Sequence, residues 1–131
     1  MKKFLILVVT LLVFISCSSE EGFTSELNTN RQLWESSHIE NYKWSESLNC
    51  ECGGPLLRDI FVVNNIKDRV EFDESLLFEG LTSEYIFNTS RTVEEAFDFI
   101  ASLLNQNVSS LNIEYDAAYG FPILISIDYD V

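Results

Sequence analysis

The spacing of apolar residues predicts a helix and then a strand in the first half of the chain. Leu27, Arg31 and Trp34 fall on one face at helical spacing, so we expect a short helix over residues 25–37 with Trp34 as its anchor in the core. Residues 41–48 alternate apolar and polar side chains instead. This two-residue period is typical of a half-buried strand.

A turn and a β-hairpin are predicted next. The stretch CECGGP at 50–55 contains two glycines and a proline, which do not easily continue a regular element. Leu56–Val63 has the composition of a second strand, and apolar positions up to Phe72 mark a returning third strand. Asn64 and Asn65 between them tolerate the positive φ of a tight hairpin turn.

The second helix has the clearest start signal in the chain. Residues 74–90 before it show weak periodicity, and we expect a loop there with a short helix or an edge strand near Tyr85. Thr92 and Glu95 then stand at the spacing of a capping box. An amphipathic helix over 92–105 is predicted from the apolar residues at helical spacing, which are Val93, Ala96, Phe97, Ile100 and Leu104.

Two alternating segments close the chain, one over 111–116 and one over 123–130. The stretch AAYGFP at 117–122 joins them, which predicts a second hairpin. The order of predicted elements is therefore α-β-β-β-α-β-β. It indicates an α+β fold in which two helices pack on antiparallel β-sheet.

The amino end has the layout of a secretory signal. Lys2 and Lys3 precede an apolar run over 4–15, and the small residue Ser16 stands directly before Cys17. The run is shorter than the about 20 apolar residues that a transmembrane helix needs. FISC at 14–17 resembles the bacterial lipobox, in which the cysteine receives lipid and becomes the new amino terminus. Phe14 departs from the Leu, Val or Ile usual there, but it is also apolar.

We therefore expect a lipoprotein signal peptide over 1–16, an acidic tether over 17–24 and a single α+β domain over 25–131. No Asp follows Cys17, although Asp there retains lipoproteins of many diderm bacteria in the inner membrane. An outer-membrane location is thus predicted, with fatty acyl chains such as palmitate on Cys17 as the anchor. An ordinary signal peptide and an uncleaved anchor are the alternatives. The acidic run after the cysteine also resembles an export tag for the cell surface.

The net charge of the chain limits the classes of molecule that it is expected to bind. The formal net charge is -13, and it becomes -15 without Lys2 and Lys3, with six basic against 21 acidic residues. Such a chain is repelled by the phosphates of nucleic acid and by anionic lipid, so the membrane link is expected to be the acyl chains. The hydrophobic fraction of 47% is nevertheless high enough for a folded core.

Cys50 and Cys52 form the most unusual pair in the sequence. Export favours their oxidation, but residues two apart in a strand are about 6.6 Å apart, near the upper limit for a disulfide. We expect a local pairing, with a bond to another molecule left open. A zinc site would need more ligands, and His38 is the only histidine. We predict no metal and no cofactor.

Four carboxylates stand late in the chain, at Glu114, Asp116, Asp128 and Asp130. Asp128 and Asp130 would share one side of the last strand, and the other two could lie opposite across the hairpin. Calcium uses such oxygen ligands, but no EF-hand loop is present. A solvated acidic face is the simpler interpretation.

Taken together, these motifs resemble those of the domain of unknown function 6174 family of small bacterial lipoproteins. Phe121 stands where the family usually has Tyr, and the hairpin at 64–65 lacks the glycine often found there. The family brings no known activity. The residues that carry the resemblance are Trp34, Tyr42, Cys50, Cys52, Thr92 to Glu95, Phe97, Tyr115, Asp116, Tyr119, Gly120, Phe121, Pro122, Ile127 and Asp128.

A non-enzymatic binding module at the cell envelope is the function that we expect, with an envelope protein or another ligand as partner. The alternatives are an enzyme or thiol-redox module using Cys50 and Cys52, and a purely structural envelope component. Tyr119 to Pro122 are expected to form a structural corner before a binding site. The candidate structural or binding turn comprises Tyr115, Asp116, Tyr119, Gly120, Phe121, Pro122 and Asp128.

Overall fold

The computed structural model describes residues 19–48, 56–77, 81–106 and 108–128. They confirm the α+β class, and the predicted elements occur in the predicted order. Of the two alternatives near Tyr85, the short helix is the one present. The strands form two antiparallel sheets, one of three strands and one of two. The elements are α1 (Ser19–Ser36), β1 (Tyr42–Leu48), β2 (Leu56–Val63), β3 (Ile66–Phe72), a 3-10 turn (Glu74–Leu76), α2 (Ser83–Thr89), α3 (Val93–Leu103), β4 (Ser110–Tyr115) and β5 (Pro122–Asp128).

Helix α1 begins earlier than the sequence predicted. Residues 19–24, assigned to the tether from composition, are its first turns. Leu27 and Trp34 are buried, at 4% and 6% exposed, so Trp34 is confirmed as a core residue. Arg31, on the same face, pairs with Asp98 and stacks over the Phe97 ring, 5.5 Å from its centroid. Helix α1 is thereby joined to α3.

The first sheet, with strand order β1-β2-β3, has one face toward the helices. Asn64 and Asn65 have φ of 52° and 61°, which confirms the predicted tight turn between β2 and β3. The register shifts once after Phe61, so β3 carries one extra residue, Asp68. Three rows of inward residues run across the strands: Tyr42, Val62 and Lys67; then Trp44, Ile60 and Val70; then Glu46, Arg58 and Phe72.

Helix α3 begins as its sequence predicted. The Thr92 hydroxyl accepts a hydrogen bond from the Glu95 amide at 3.1 Å, and the Glu95 carboxylate accepts one from the Thr92 amide at 2.8 Å. This capping box satisfies two amides that would otherwise lack partners. The buried face of the helix consists of Val93, Ala96, Phe97, Ile100 and Leu103.

The second sheet is the β4-β5 hairpin, whose Ile113 is buried against α1 and α3. Its register shifts near the turn, because Glu114 pairs with Leu124 whereas Tyr115 pairs with Pro122. Ile123 is therefore the extra residue of a bulge and is 57% exposed, while Pro122 is buried. The regular alternation from Ile123 onward, read from the sequence, does not hold at this position.

Within the described part of the chain, no helix combines the length and the apolarity needed to cross a bilayer.

Candidate functional site

The predicted turn is a corner held by Asp116. Its carboxylate accepts hydrogen bonds from the amides of Ala118 and Tyr119 at 2.9 and 2.7 Å. Its backbone amide donates to the Phe121 carbonyl at 2.8 Å, and its carbonyl accepts from the Gly120 amide at 2.8 Å. An aspartate that binds the backbone ahead of it in this way stabilises a turn. Asp116 is thus a structural residue of the corner.

Gly120 brings the corner against helix α1. Its φ is +78°, which confirms the expected need for glycine, and it is buried. A Cβ atom built there would lie 2.4 Å from the carbonyl oxygen of Asn30 and 3.1 Å from the Cβ of Leu33. No side chain fits between the turn and the helix backbone. Glycine is therefore required both for the positive φ and for the close contact with α1.

The aromatic residues of the corner divide into packed and exposed. Phe121 meets Trp34 edge to face at 6.1 Å between centroids, and Tyr115 stacks on Phe97 at 6.3 Å. Tyr119 is 48% exposed instead. Asp128 lies at the other end of the hairpin, opposite Ser110. The structure therefore separates Asp128 from the corner residues with which the sequence grouped it.

Glu94, which the sequence singled out only as part of the helix start, joins three elements. Glu94 accepts hydrogen bonds from Trp34 Nε1 at 2.9 Å and from the Tyr42 hydroxyl at 2.7 Å. The same hydroxyl accepts from the Val93 amide at 3.1 Å. Trp34 and Tyr42 also meet edge to face at 5.2 Å. Two residues that carry the family resemblance are thus fastened to the start of α3.

Tyr42 and Tyr115, which are both half-buried, are held in the neutral form. Burial, followed by the hydrogen bond to the Glu94 carboxylate, raises the pKa of Tyr42 well above its usual range. Burial, and then the charge of Glu26, raises the pKa of Tyr115 to about 12. The Tyr115 hydroxyl is buried and makes no hydrogen bond within the described protein. Neither residue is set up as a base, because its ionised form is disfavoured.

A second polar cluster lies under the first sheet. Arg58 is 5% exposed, and Glu46 is the carboxylate opposite it on β1. Glu46 accepts a hydrogen bond from Arg91 at 3.0 Å, and its other oxygen is 3.9 Å from Arg58 Nη1. Arg58 also donates to the hydroxyls of Thr89 and Ser90 at 3.2 and 3.4 Å. Burial lowers the pKa of the Arg58 guanidinium, and the Glu46 charge opposes this.

The alternation of side chains along β1 and β2 contains a signal for this cluster. Arg58 has the same parity in β2 as Ile60 and Val62, which places it on the inward face. A buried guanidinium needs a carboxylate partner, and Glu46 has the same parity in β1 as Trp44. Position in the alternating pattern would have identified both residues, although not their pairing with Arg91.

The three late carboxylates that the structure describes, Glu114, Asp116 and Asp128, do not assemble. Glu114 pairs with Leu124 and Asp128 with Ser110, so the prediction that Glu114 could face Asp128 across the hairpin is wrong. Asp130 lies outside the described residues. His38 is exposed after α1 with φ of 52°. Across residues 19–48, 56–77, 81–106 and 108–128, no three His, Cys, Asp or Glu side chains are grouped for a metal ion.

The cysteine predictions lie outside the described residues, which do not include Cys17, Cys50 or Cys52. The ends of β1 and β2 are paired, with Leu48 opposite Leu56, so Cys50 and Cys52 belong to the connection between two adjacent strands. Lipid attachment at Cys17 and local pairing of Cys50 with Cys52 both stay predictions.

One open groove of about 710 Å³ runs between α1 and the end of α3. Its lining is mostly amides and hydroxyls from one face of α1, with Leu104 and Asn105 from the other side. The groove is wide and mostly polar, and the corner residues do not line it. Among the described residues that line it, the one carboxylate is Glu21, near the start of α1.

Comparison with known proteins gives one match. The profile of a family of unknown function, DUF6174, matches residues 26–131. This range begins within α1 and covers every strand. No curated protein and no solved structure matches the chain.

Proposed function

Because the chain belongs to the DUF6174 family, whose function is unknown, we propose a function from its own residues: a lipid-anchored protein of the bacterial outer membrane whose acidic domain binds an envelope partner. Nucleic acid is not the partner, because the chain carries a formal charge of -13. The domain acts as a binding module rather than as an enzyme.

The anchor rests on the amino end of the chain. Lys2 and Lys3, the apolar run 4–15 and Ser16 before Cys17 have the order of a lipoprotein signal. Several acyl chains at Cys17 would hold the protein stably, since each buried methylene contributes about 0.8 kcal/mol. Metabolic labelling with a fatty-acid analogue tests this. The wild type should be labelled and Cys17→Ala should not, and equal labelling of both would contradict the anchor.

The binding role rests mainly on one observation, the exposed apolar side chains beside a rigid corner. Tyr119, Ile123 and Leu124 are 48%, 57% and 42% exposed. They lie within about 17 Å of chain, because consecutive Cα atoms advance by at most about 3.4 Å. Asp116 and Gly120 fix the backbone that carries them. Large apolar side chains on a fixed surface mark an interaction site.

A photo-crosslinking amino acid at position 119, in cells that carry the full chain, tests the binding role. We expect a discrete crosslinked species from position 119 and none from position 57. Leu57 is a suitable control because it is also apolar and 60% exposed, but it lies on the first sheet. Equal crosslinking at both positions, or none at either, would contradict a partner at the corner.

A further inference from the structure

The β4-β5 sheet has two outer edges that no described strand pairs with. A hairpin of two strands is marginally stable by itself, and an unpaired edge presents amides and carbonyls to any extended chain. Pro122 has no amide, and the Asp128 carbonyl already accepts from the Ser109 amide, so outward pairing along β5 uses alternate residues between Ile123 and Ile127. This edge is a stretch of backbone with hydrogen-bonding capacity and a known side-chain pattern.

The core covers β4 better than β5. Ile113 and Ile125 stand directly opposite each other and face the same way. Ile113 is 8% exposed, whereas Ile125 is only half-buried. Ile127 on the same face of β5 is half-buried too. Apolar surface of Ile125 and Ile127 is therefore left open on the inward face of β5, while the exposed Leu124 lies on the opposite face of the strand.

The segment of the chain that contains this hairpin carries charged side chains of one sign only. Residues 92–131 contain no Lys or Arg, and their acidic residues are Glu94, Glu95, Asp98, Glu114, Asp116, Asp128 and Asp130. The first sheet differs, since it carries Lys43, Arg58, Lys67 and Arg69. A second copy of this chain carries the same net charge of -13, so self-pairing at this edge is disfavoured by electrostatic repulsion.

We propose that the outer edge of β5 receives an extended segment of a partner protein as a third strand, with apolar residues alternating with Lys or Arg. Main-chain hydrogen bonds to alternate residues of 123–127 supply affinity, as in other cases of strand addition. The apolar residues of the segment lie beside Ile125 and Ile127. Its basic residues lie on the other face, beside Leu124, Ser126 and Asp128. This inference deepens the proposed binding role and depends on it for the biological setting.

Synthetic peptides and the full-length chain in detergent micelles test the proposal. The probe is a heptapeptide of alternating Lys and Val, compared with one of alternating Glu and Val. A third peptide replaces two central Val residues by Pro, which keeps the charge but cannot form a ladder. Hydrogen exchange of the backbone amides reports where each peptide pairs. We expect the Lys/Val peptide to slow exchange in 123–127, and the other two to leave it unchanged.

Two matched charge reversals distinguish peptide binding at the β5 edge from nonspecific attraction of a basic peptide to an acidic protein. Asp128→Lys should weaken binding of the Lys/Val peptide by roughly fivefold, the order expected for cross-strand charge pairs. Glu71→Lys makes the same charge change on the exposed face of the first sheet and should weaken it much less. Equal losses in the two variants, or equal binding of the proline peptide, would overturn strand addition.

Two further results would also overturn the proposal. Slower hydrogen exchange in the amides of β4 instead of those of β5 would show that the peptide pairs with the other edge of the hairpin. A dimer that forms without peptide, detected by light scattering, would show that a second copy of the chain occupies the β5 edge. Fatty-acid labelling of Cys17 is measured separately. Loss of that label with retained peptide binding would refute the anchor and leave the β5 edge intact.

Discussion

The two sheets of the molecule use charge in opposite ways. Both are antiparallel, both present one face to the helices, and both contain one register shift. The first sheet places Arg58, Glu46 and Lys67 on its inward face and pairs them there. The second sheet faces inward with uncharged residues alone, which are apolar except for the hydroxyl of Tyr115.

The difference shows where the few basic residues of an acidic chain are placed. Arg58, Lys67 and Arg91 all contact groups beneath the first sheet or at the start of α3. Lys43 and Arg69 flank Phe61 on the outer face of the same sheet. The charges of the first sheet are thus compensated locally. In the second half of the chain Asp98 pairs with Arg31 and Glu95 with Lys67, but among the described residues Glu114, Asp116 and Asp128 of the hairpin have no ion pair. Four substitutions would break or sharpen this contrast.

Glu46→Ala should have the largest effect. It would leave Arg58 buried without its carboxylate and close to Arg91. Breaking a buried ion pair by removing one partner costs about 3–5 kcal/mol of unfolding free energy. Urea denaturation measures it. Glu71→Ala on the exposed face of β3 is the control, and its effect should be much smaller. Equal losses of unfolding free energy in Glu46→Ala and Glu71→Ala would mean that the cluster around Arg58 is not buried in solution.

Gly120→Ala should come next, although it changes a backbone position and no charge. The left-handed φ costs about 1–2 kcal/mol for other residues, and forced overpacking costs about 1–3 kcal/mol more. The Cβ would meet the Asn30 carbonyl at 2.4 Å.

Gly22→Ala is the matched control for that change. Gly22 lies in α1 with nothing within 4 Å of the added atom, so the substitution should raise stability slightly. Thermal denaturation of each variant tests whether Gly120→Ala lowers the melting temperature and whether Gly22→Ala raises it. A Gly120→Ala protein as stable as the wild type would contradict the contact between the corner and α1.

Glu94→Ala should have an intermediate effect. Trp34 Nε1 and the Tyr42 hydroxyl would both lose their acceptor in a part-buried setting. An unsatisfied buried donor costs about 1–3 kcal/mol. Glu94→Gln keeps one acceptor oxygen and should recover part of the loss. If Ala and Gln are equally destabilising, charge rather than hydrogen bonding is the contribution of Glu94.

Tyr115→Phe should have the smallest effect, and it is expected to be neutral or stabilising. The hydroxyl that it removes is buried without a partner, so its loss relieves a desolvation cost. Tyr42→Phe removes a hydroxyl bonded to Glu94 and Val93 and should destabilise. Urea denaturation at neutral pH compares the two variants.

The stability of the protein at alkaline pH gives a second test of the Tyr115 hydroxyl. The pKa of Tyr115 is raised in the folded state to about 12, from 10.0. Its contribution to stability is present below pH 10 and is lost as the pH rises toward 12, because the unfolded chain releases the proton first. Tyr115→Phe should therefore lose less stability than the wild type between pH 10 and 12. An identical pH profile would contradict the burial of this hydroxyl.

Local patterns predicted the elements well where a few neighbouring residues decide them. The capping box of Thr92 and Glu95, the turn at Asn64 and Asn65, and the corner at Gly120 were all predicted and are confirmed. Each depends on a backbone preference or on a bond within three residues. The start of α1 was predicted too late, because residues 19–24 are polar and lack helical spacing.

The sequence by itself determined the helices and strands other than α2 and the first turns of α1, the α+β class, and the core position of Trp34. Only the tertiary structure decided that Glu94 accepts from Trp34 and Tyr42, that Glu46 joins Arg58 to Arg91, and that Gly120 lies on Asn30. It also decided the division into two sheets and the exposure of Ile123. These partners are far apart in sequence, and their contacts follow from how the elements pack, which local spacing does not encode.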